Sequence, residues 1–412
     1  MGCCVAQGHQ ILLPCPTNRA NFPKMQAKIK WWLLGLLLIP CWVMGIKYEI
    51  DLVVLHATAK FLITDFTRVY AQNGVLGRYF YGPFSLILIK PLGYLSFTVV
   101  KYFWLCLQTF CYFWFWRFLT SLYPVLNDKK WFWGWFLVWI ISINPIHNNF
   151  QSNNIQLMLG TTLLLAEALC RTASSKKQAL GGMLVAFTAG IKVFPAFLLV
   201  YYFLAKSTAT RKGIIAGSTI VLLSPFVFLG IEKSLFLYRG FFLNLTTYSA
   251  ENSLTRINDI LCVPSLLARL SLPSSIINGF VLLLSALFFG WVWISKTKTD
   301  FKNEEPYFLG LSWALSVLLN PSTRPHYFIF YVPAFCSLIE YLSIKPKARG
   351  VMIATLIATL LIAFTAEGVT GKALNEWLEA ASVPTIGMIL LCLTLCFVIR
   401  DLLRSEQADL SS

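Results

Sequence analysis

Charge is scarce in this chain of 412 residues: Asp, Glu, Lys and Arg make up 13% of it, while 57% is hydrophobic and 33 residues are Phe. So few charges cannot clothe a water-soluble globule of this size, which excludes a soluble enzyme or binding domain. There is no P-loop, no HExxH and no GxSxG. DxD, the usual means of holding a nucleotide sugar through a metal, is also missing, so any chemistry is expected to be metal-free and without a cofactor. Nor is there a basic stripe interleaved with aromatics. The net charge of +16 comes from Lys and Arg set singly or in pairs between apolar runs, which fits membrane topology rather than nucleic acid. The eleven cysteines lack metal-ligand spacing and lie mostly inside apolar runs, with Cys262 in a loop. They read as small hydrophobes and imply no disulfide framework. The MGCC start lacks the Ser or Thr that an acylation signal needs at position 6, and LLPC at 12–15 lacks a preceding apolar region. Residues 1–24 therefore read as disordered, or as preceding a true start at Met25.

What the chain does have is a series of apolar runs approaching membrane-spanning length. Twelve are expected to be spans: 31–46, 97–119, 131–143, 155–170, 178–191, 194–205, 213–230, 276–295, 306–319, 326–343, 350–366 and 383–399. The fold class is all-α and polytopic, with juxtamembrane helices in the first outer loop. Residues 84–95, which contain Lys90 and Pro91, read as a juxtamembrane or re-entrant helix. The distribution of Lys and Arg places both termini in the cytoplasm. The expected organisation is a cytoplasmic segment 1–30, one transmembrane domain 31–400 with outer loops 47–96 and 231–275, and a cytoplasmic tail 401–412. It depends on a break in GIKVFP, where Pro195 stops a helix just after Lys192. A continuous helix there would put the later basic clusters on the wrong side.

Unusual polar residues then share the outer face. Asp51 stands where the first span ends, and partial desolvation there would raise its pKa into the range useful to a general base. It could equally cap the following helix, DLVVLHATAKFL, whose composition suits an amphipathic surface helix. Asp65 reads as a cap or a partner of Arg68. NPIHNNFQSNN, 144–154, holds more amides than a turn needs, and amides suit sugar hydroxyls. NPSTRPHY, 320–327, sets Arg324 and His326 between two apolar runs, where they could hold a phosphate. Lys192 is a second cation for the same anion, or a snorkelling side chain. Whether the aromatics of 231–275 lie on the bilayer or cover a cavity stays open.

In order, these features resemble the membrane glycosyltransferases of the GT-C fold, and glycosyltransferase family 87 in particular, the polyprenol-phosphate-mannose-dependent type. The resemblance rests on Asp51 after the first span, His56 to Leu62, Tyr81 to Leu95 with Tyr81, Pro83 and Phe84, and Asn148 with Gln151 and Asn153. It continues through Ile191 to Pro195, Asn252 to Leu254, and Pro321 to His326. Phe150 stands where the family has glycine before Gln151, and Glu251 where it often has Gln. The resemblance implies a mannosyltransferase, or a transferase of another hexose or pentose, in the plasma (inner) membrane of the cell envelope, acting on its outer face. The donor would be a polyprenyl-phosphate sugar and the acceptor a lipid or glycan. Asp51 would be the base of an inverting transfer, with Arg324, His326 and Lys192 on the donor phosphate. Asn148, Gln151, Asn153, Tyr81 and Asn252 would bind sugar or acceptor. A lipid-linked glycan transporter or flippase, and a polysaccharide ligase or polymerase, are the alternatives. A transporter would line a path with charges such as Glu167, Glu340 and Lys90.

Overall fold

The computed structural model describes residues 24–48, 50–70, 79, 81–255, 260–298, 304–363 and 370–411, with side chains set aside at 24–28, 246–255, 298 and 406–411. The described residues form seventeen α-helices and short 3-10 turns, with no strand. Two compact units are distinguished, Met1–Pro40 and Cys41–Ser412. The first holds the N-terminal part of α1 (Lys24–Lys47).

The second unit begins with the end of α1 and continues through α2 (Ile50–Thr64), α3 (Pro83–Ile89), a 3-10 segment Lys90–Tyr94, α4 (Phe97–Leu122), α5 (Phe132–Ser152) and α6 (Gln156–Cys170). Next come α7 (Ser175–Ile191), α8 (Ala196–Ala205), α9 (Thr208–Leu229), α10 (Ile231–Thr255), α11 (Val263–Arg269), α12 (Ser274–Lys298) and α13 (Glu305–Leu318). A 3-10 segment Pro325–Tyr331 then leads into α14 (Val332–Ile344), α15 (Arg349–Ala363), α16 (Lys372–Ala380) and α17 (Val383–Ser411).

By length and composition, five stretches among the described residues could cross a membrane: Ile29–Lys47, Thr208–Leu229, Ser274–Thr297, Pro325–Ile344 and Val383–Ser405. Three shorter apolar helices join them, Gln156–Cys170, Ala196–Ala205 and Arg349–Ala363. α4 and α5 are also long, but their Trp, Tyr and amide side chains lower their mean hydropathy. All twelve apolar runs of the sequence fall largely on helices.

The break expected at Lys192 is present. α7 ends at Ile191, Lys192 is extended (φ −140°, ψ 136°), and α8 starts after Pro195.

Two expected loops are helical instead. Residues 144–152 continue α5, with Pro145 inside the helix. The amides that suggested a turn bond back onto the helix: Asn149 Nδ2 donates to Pro145 O at 2.8 Å, and Asn148 Nδ2 to Asn144 O at 3.0 Å. The helix stops only at Asn153, which takes the left-handed conformation (φ 52°) that Asn tolerates. Most of 231–275 is likewise helical, as α10, α11 and the start of α12. Cys262, expected in an outer loop, lies in the bend just before α11, where it is buried and caps that helix together with Ser265.

α2 is not the amphipathic surface helix expected of it. Leu52, Leu55, Ala59 and Leu62 pack into a core with Val100, Trp104, Tyr79 and Tyr81. His56 donates from Nε2 to Leu95 O at 3.0 Å, tying α2 to the segment before α4. Asp65 caps the turn after α2, accepting from Thr67 N–H at 3.2 Å.

α7 and α9 meet through small residues. A Cβ on Gly213 would run into the Ala179 carbonyl, so the two backbones can approach only because no side chain intervenes. At the ends of α6, α8 and α13, the fully buried Glu167 accepts from Arg171 Nε and Lys206 Nζ, both at 2.7 Å, and Lys206 also pairs with Glu305. A buried acid needs such partners, since an unpaired charge there costs several kcal/mol.

Candidate active site

The site forms where four stretches of chain end at the same place: the start of α2, the α5–α6 junction, the α7–α8 break and the loop before Pro325. Asp51 lies in the first turn of α2 and is only partly exposed. Its Oδ2 accepts from Asn154 Nδ2 at 2.5 Å. The orientation of that amide is fixed, because Asn154 Oδ1 accepts from Gln156 N–H at 3.2 Å, which turns Nδ2 toward Asp51. The second hydrogen of the same Nδ2 meets His326 Nε2 at 3.3 Å. An amide nitrogen can only donate, so His326 Nε2 accepts and the ring is held as the tautomer protonated at Nδ1.

Further amides hold this junction in place. Asn153 Nδ2 donates to Gly45 O at 2.9 Å and Tyr48 O at 2.8 Å, stapling the end of α1 to the end of α5. Asn149 Nδ2 donates to His326 O at 2.9 Å, and its Oδ1 accepts from Leu157 N–H at 3.0 Å. From α4, Trp104 Nε1 donates to Asn153 O at 3.0 Å and Gln108 Nε2 to Asn154 O at 3.2 Å.

Lys192 extends from the helix break between two rings, with its ammonium 5.1 Å from the centre of Tyr81 and 4.7 Å from that of Tyr327. The break is anchored by Gly82 N–H donating to Ile191 O at 3.0 Å. A Cβ on Gly82 would run into the Gly190 carbonyl, so this contact requires glycine. Gly82→Ala is expected to push Tyr81 away from Lys192. A cost of roughly 1–3 kcal/mol in stability follows from the overpacking, read as a lower melting temperature. Behind Tyr81, Tyr70 OH donates to the Tyr81 carbonyl at 2.8 Å, and Ser85 Oγ donates to Gly82 O at 2.6 Å.

Charge follows from this geometry. Burial raises the Asp51 carboxyl above the ordinary carboxylate range, while Lys192, the Asn154 hydrogen bond and Arg324 pull it back. Lys192 and Arg324 both act on Asp51 and on His326, so the two cations, the carboxylate and the imidazole share one electrostatic neighbourhood. Burial and the Asp51 charge raise the Tyr81 phenol, which stays protonated. Among the described residues, no three His, Cys, Asp or Glu side chains group as metal ligands would.

Asp51, Lys192, Arg324, His326 and Tyr81 therefore come together. Asn153 is buried with its Nδ2 committed to the α1 staple, and Asn148 Nδ2 bonds within α5. Gln151 is partly exposed near the end of α5. Asn252 falls on α10, and its side chain lies outside the described residues. Asn154, the direct partner of Asp51, was one amide among six in the sequence, and nothing in its spacing ranked it. Gln108 did carry a signal, as a lone amide inside an apolar run.

Asn154→Ala removes the group that holds both Asp51 and His326. The lost hydrogen bond had lowered the Asp51 pKa, so the acid limb of any activity that needs the Asp51 carboxylate is expected to move to higher pH. A pH–rate profile beside wild type checks this.

The fold and this site define a polytopic helical membrane protein with its polar chemistry gathered at helix ends. The sequence profile of glycosyltransferase family 87 matches residues 79–321, and the chain belongs to that family. It is a membrane glycosyltransferase acting on sugar substrates. No curated protein and no solved structure matches the chain. The matched stretch contains Tyr81, Asn154 and Lys192, whereas Asp51, Arg324 and His326 lie outside it.

Proposed function

We propose that this protein transfers mannose, or another hexose or pentose, from a polyprenyl-phosphate donor to a lipid or glycan hydroxyl, with inversion at the anomeric carbon. The observation that carries the reading is the convergence of one carboxylate and two cations, Asp51, Lys192 and Arg324, from distant parts of the chain. A base and an anion clamp are what transfer from a sugar phosphate requires, because the phosphate leaves readily without a separate acid.

In the proposed step, Asn154 occupies Oδ2 of Asp51 and Oδ1 takes the acceptor proton. The acceptor oxygen attacks the anomeric carbon, and the bond from that carbon to the phosphate oxygen breaks with its electron pair leaving on phosphate. The departing group gains negative charge, which Lys192 and Arg324 offset in a partly dry site where each contact counts for more than in water. With His326 Nε2 committed to Asn154, the hydrogen this ring has to offer the phosphate is on Nδ1. Tyr81, and Gln151 at the edge, would contact sugar or acceptor; Asn148, Asn153 and Asn252 would do so only through rearrangement or from α10.

The same proposal places both termini in the cytoplasm, the twelve runs as spans and the site on the outer face of the plasma membrane. Lys345, Lys347 and Arg349 support it, since they follow α14, which leads away from the site, and Arg400 and Arg404 flank Asp401 of α17, which pairs with Lys345 at that same end. A transporter would need charges lining a path, but Glu167, the most buried acid, is locked in an ion cluster at helix ends.

The test supplies the purified protein in nanodiscs with radiolabelled polyprenyl-phosphate mannose and extracted membrane lipids. Label is expected to pass into a new lipid or glycan product. Transfer from a nucleotide sugar instead, or none from any polyprenyl-phosphate sugar, contradicts the reading.

A further inference from the structure

At the end of α14 remote from Arg324, the chain builds a second polar feature that the transfer reaction does not use. The stretch from Pro325 to Ile344 comprises seven residues of 3-10 helix and thirteen of α-helix. At ~2.0 and ~1.5 Å per residue these span about 33 Å, close to the ~30 Å of a hydrocarbon core. Ile344 and the loop after it therefore lie at the membrane surface opposite the Asp51 site.

A cavity of about 600 Å³ opens there, lined among others by Tyr341, Ile344, Lys345, Lys347, Phe397 and Asp401. Its walls differ in chemistry. Ile344, the last residue of α14, and Phe397, within the candidate span Val383–Ser405, are 62% and 58% exposed, as apolar side chains that face lipid are. The rim is charged and built. Asp401 accepts from Tyr341 OH at 2.8 Å and from Lys345 Nζ at 2.5 Å, which fixes the Lys345 side chain across the cavity. That pair is internally neutral, and Arg404 lies within electrostatic reach of Asp401. Lys347 is exposed on the cavity wall, so the rim carries net positive charge.

An apolar wall continuous with the spans and a cationic rim at the level of the headgroups fit one kind of molecule. We propose that the cavity between the α14–α15 loop and α17 binds the headgroup of an anionic phospholipid, whose acyl chains lie along Ile344 and Phe397. Lys347 and Arg404 carry the charge selection, since Lys345 is held by Asp401. A free phosphate would find the same cations but none of the apolar wall, and a zwitterionic lipid the wall but no net charge to match.

The experiment uses the full-length protein in detergent micelles and measures lipid binding by native mass spectrometry, with melting temperature as a second readout. Phosphatidylglycerol, phosphatidylcholine and inorganic phosphate are the probes. Phosphatidylglycerol is expected to bind more tightly than phosphatidylcholine and to raise the melting temperature, with inorganic phosphate doing neither. Lys347→Gln should weaken phosphatidylglycerol roughly fivefold, and adding Arg404→Gln should give about 25-fold, the usual worth of juxtamembrane cations. Lys176→Gln with Lys177→Gln, which removes two exposed charges at the start of α7, serves as the control for general surface charge and should leave the affinity unchanged. Equal affinity for the two lipids, an equal loss in the control variant, or stabilisation by inorganic phosphate as strong as by the lipid would each overturn the proposal. Both variants lie far from Asp51 and should keep wild-type sugar transfer in neutral lipid.

Discussion

Asp51→Asn is expected to lower sugar transfer at neutral pH by roughly 10²–10⁴-fold, the range contributed by a positioned general base. The substitution keeps the size of the side chain and leaves an oxygen for the Asn154 amide to donate to, so it removes the proton acceptor with little else. A second, opposite effect separates loss of chemistry from loss of fold. Burial holds the Asp51 carboxyl above its unfolded value. A group shifted that way contributes stability below the unfolded pKa, and the contribution is lost as pH rises through the folded pKa. At neutral pH the ionised Asp51 therefore costs the fold stability, and Asp51→Asn should melt at a higher temperature than wild type. The difference should shrink as the solution is acidified through the raised pKa. In wild type, transfer should fall over the same pH range, because the base is then protonated. Full transfer by the variant, measured at matched protein levels, would remove Asp51 from the mechanism.

Removal of either cation is the other large effect. Lys192→Gln and Arg324→Gln are each expected to reduce kcat by roughly 10²–10³-fold, as loss of one preorganised group at a developing charge does. The loss should appear in kcat more than in KM, because the phosphate gains its extra negative charge only as the bond to the sugar breaks. Arg324→Lys should recover part of the activity, since an ammonium keeps the charge but cannot bind two phosphate oxygens in one plane. Both cations also lower the Asp51 pKa, so each Gln variant should move the acid limb of the pH–rate profile upward. The double variant should lose less than the product of the single losses, because the two groups serve one anion. A steady-state series at several pH values reads all of these outcomes; a rise in KM with unchanged kcat would assign the cations to ground-state binding alone.

The contrast between Lys192 and Asn153 explains how much of this site the sequence carried. Lys192 was legible because a charge followed by Pro195 inside an apolar run marks a helix break, and α7 does end there. Asp51 was legible for a related reason, as a carboxylate directly after an apolar run. The amides were not. In NPIHNNFQSNN, six chemically equivalent side chains compete for roles that depend on which carbonyl each one meets, and those carbonyls belong to α1, α4 and the His326 segment. Asn153 therefore became a staple and Asn154 the partner of Asp51, although they are neighbours in sequence. The loop expected at 144–154 was misread for the same reason: polar side chains that bond back to their own helix look like turn formers until the tertiary contacts are known. The burial of α2 also depended on distant partners. Its apolar residues were visible, but the chain segment that covers them, Pro91 to Val100, is a separate stretch with its own break.

The measurement that tests the central claim most directly is the anomeric configuration of the transferred sugar, determined by NMR on product made by the purified protein from a polyprenyl-phosphate sugar of known configuration. One base, one displacement and a phosphate leaving group on the clamp of Lys192 and Arg324 require a product of the opposite configuration to the donor, formed by Asp51→Asn only at the roughly 10²–10⁴-fold lower rate. A retained configuration would mean two successive displacements, and would contradict the role assigned here to Asp51.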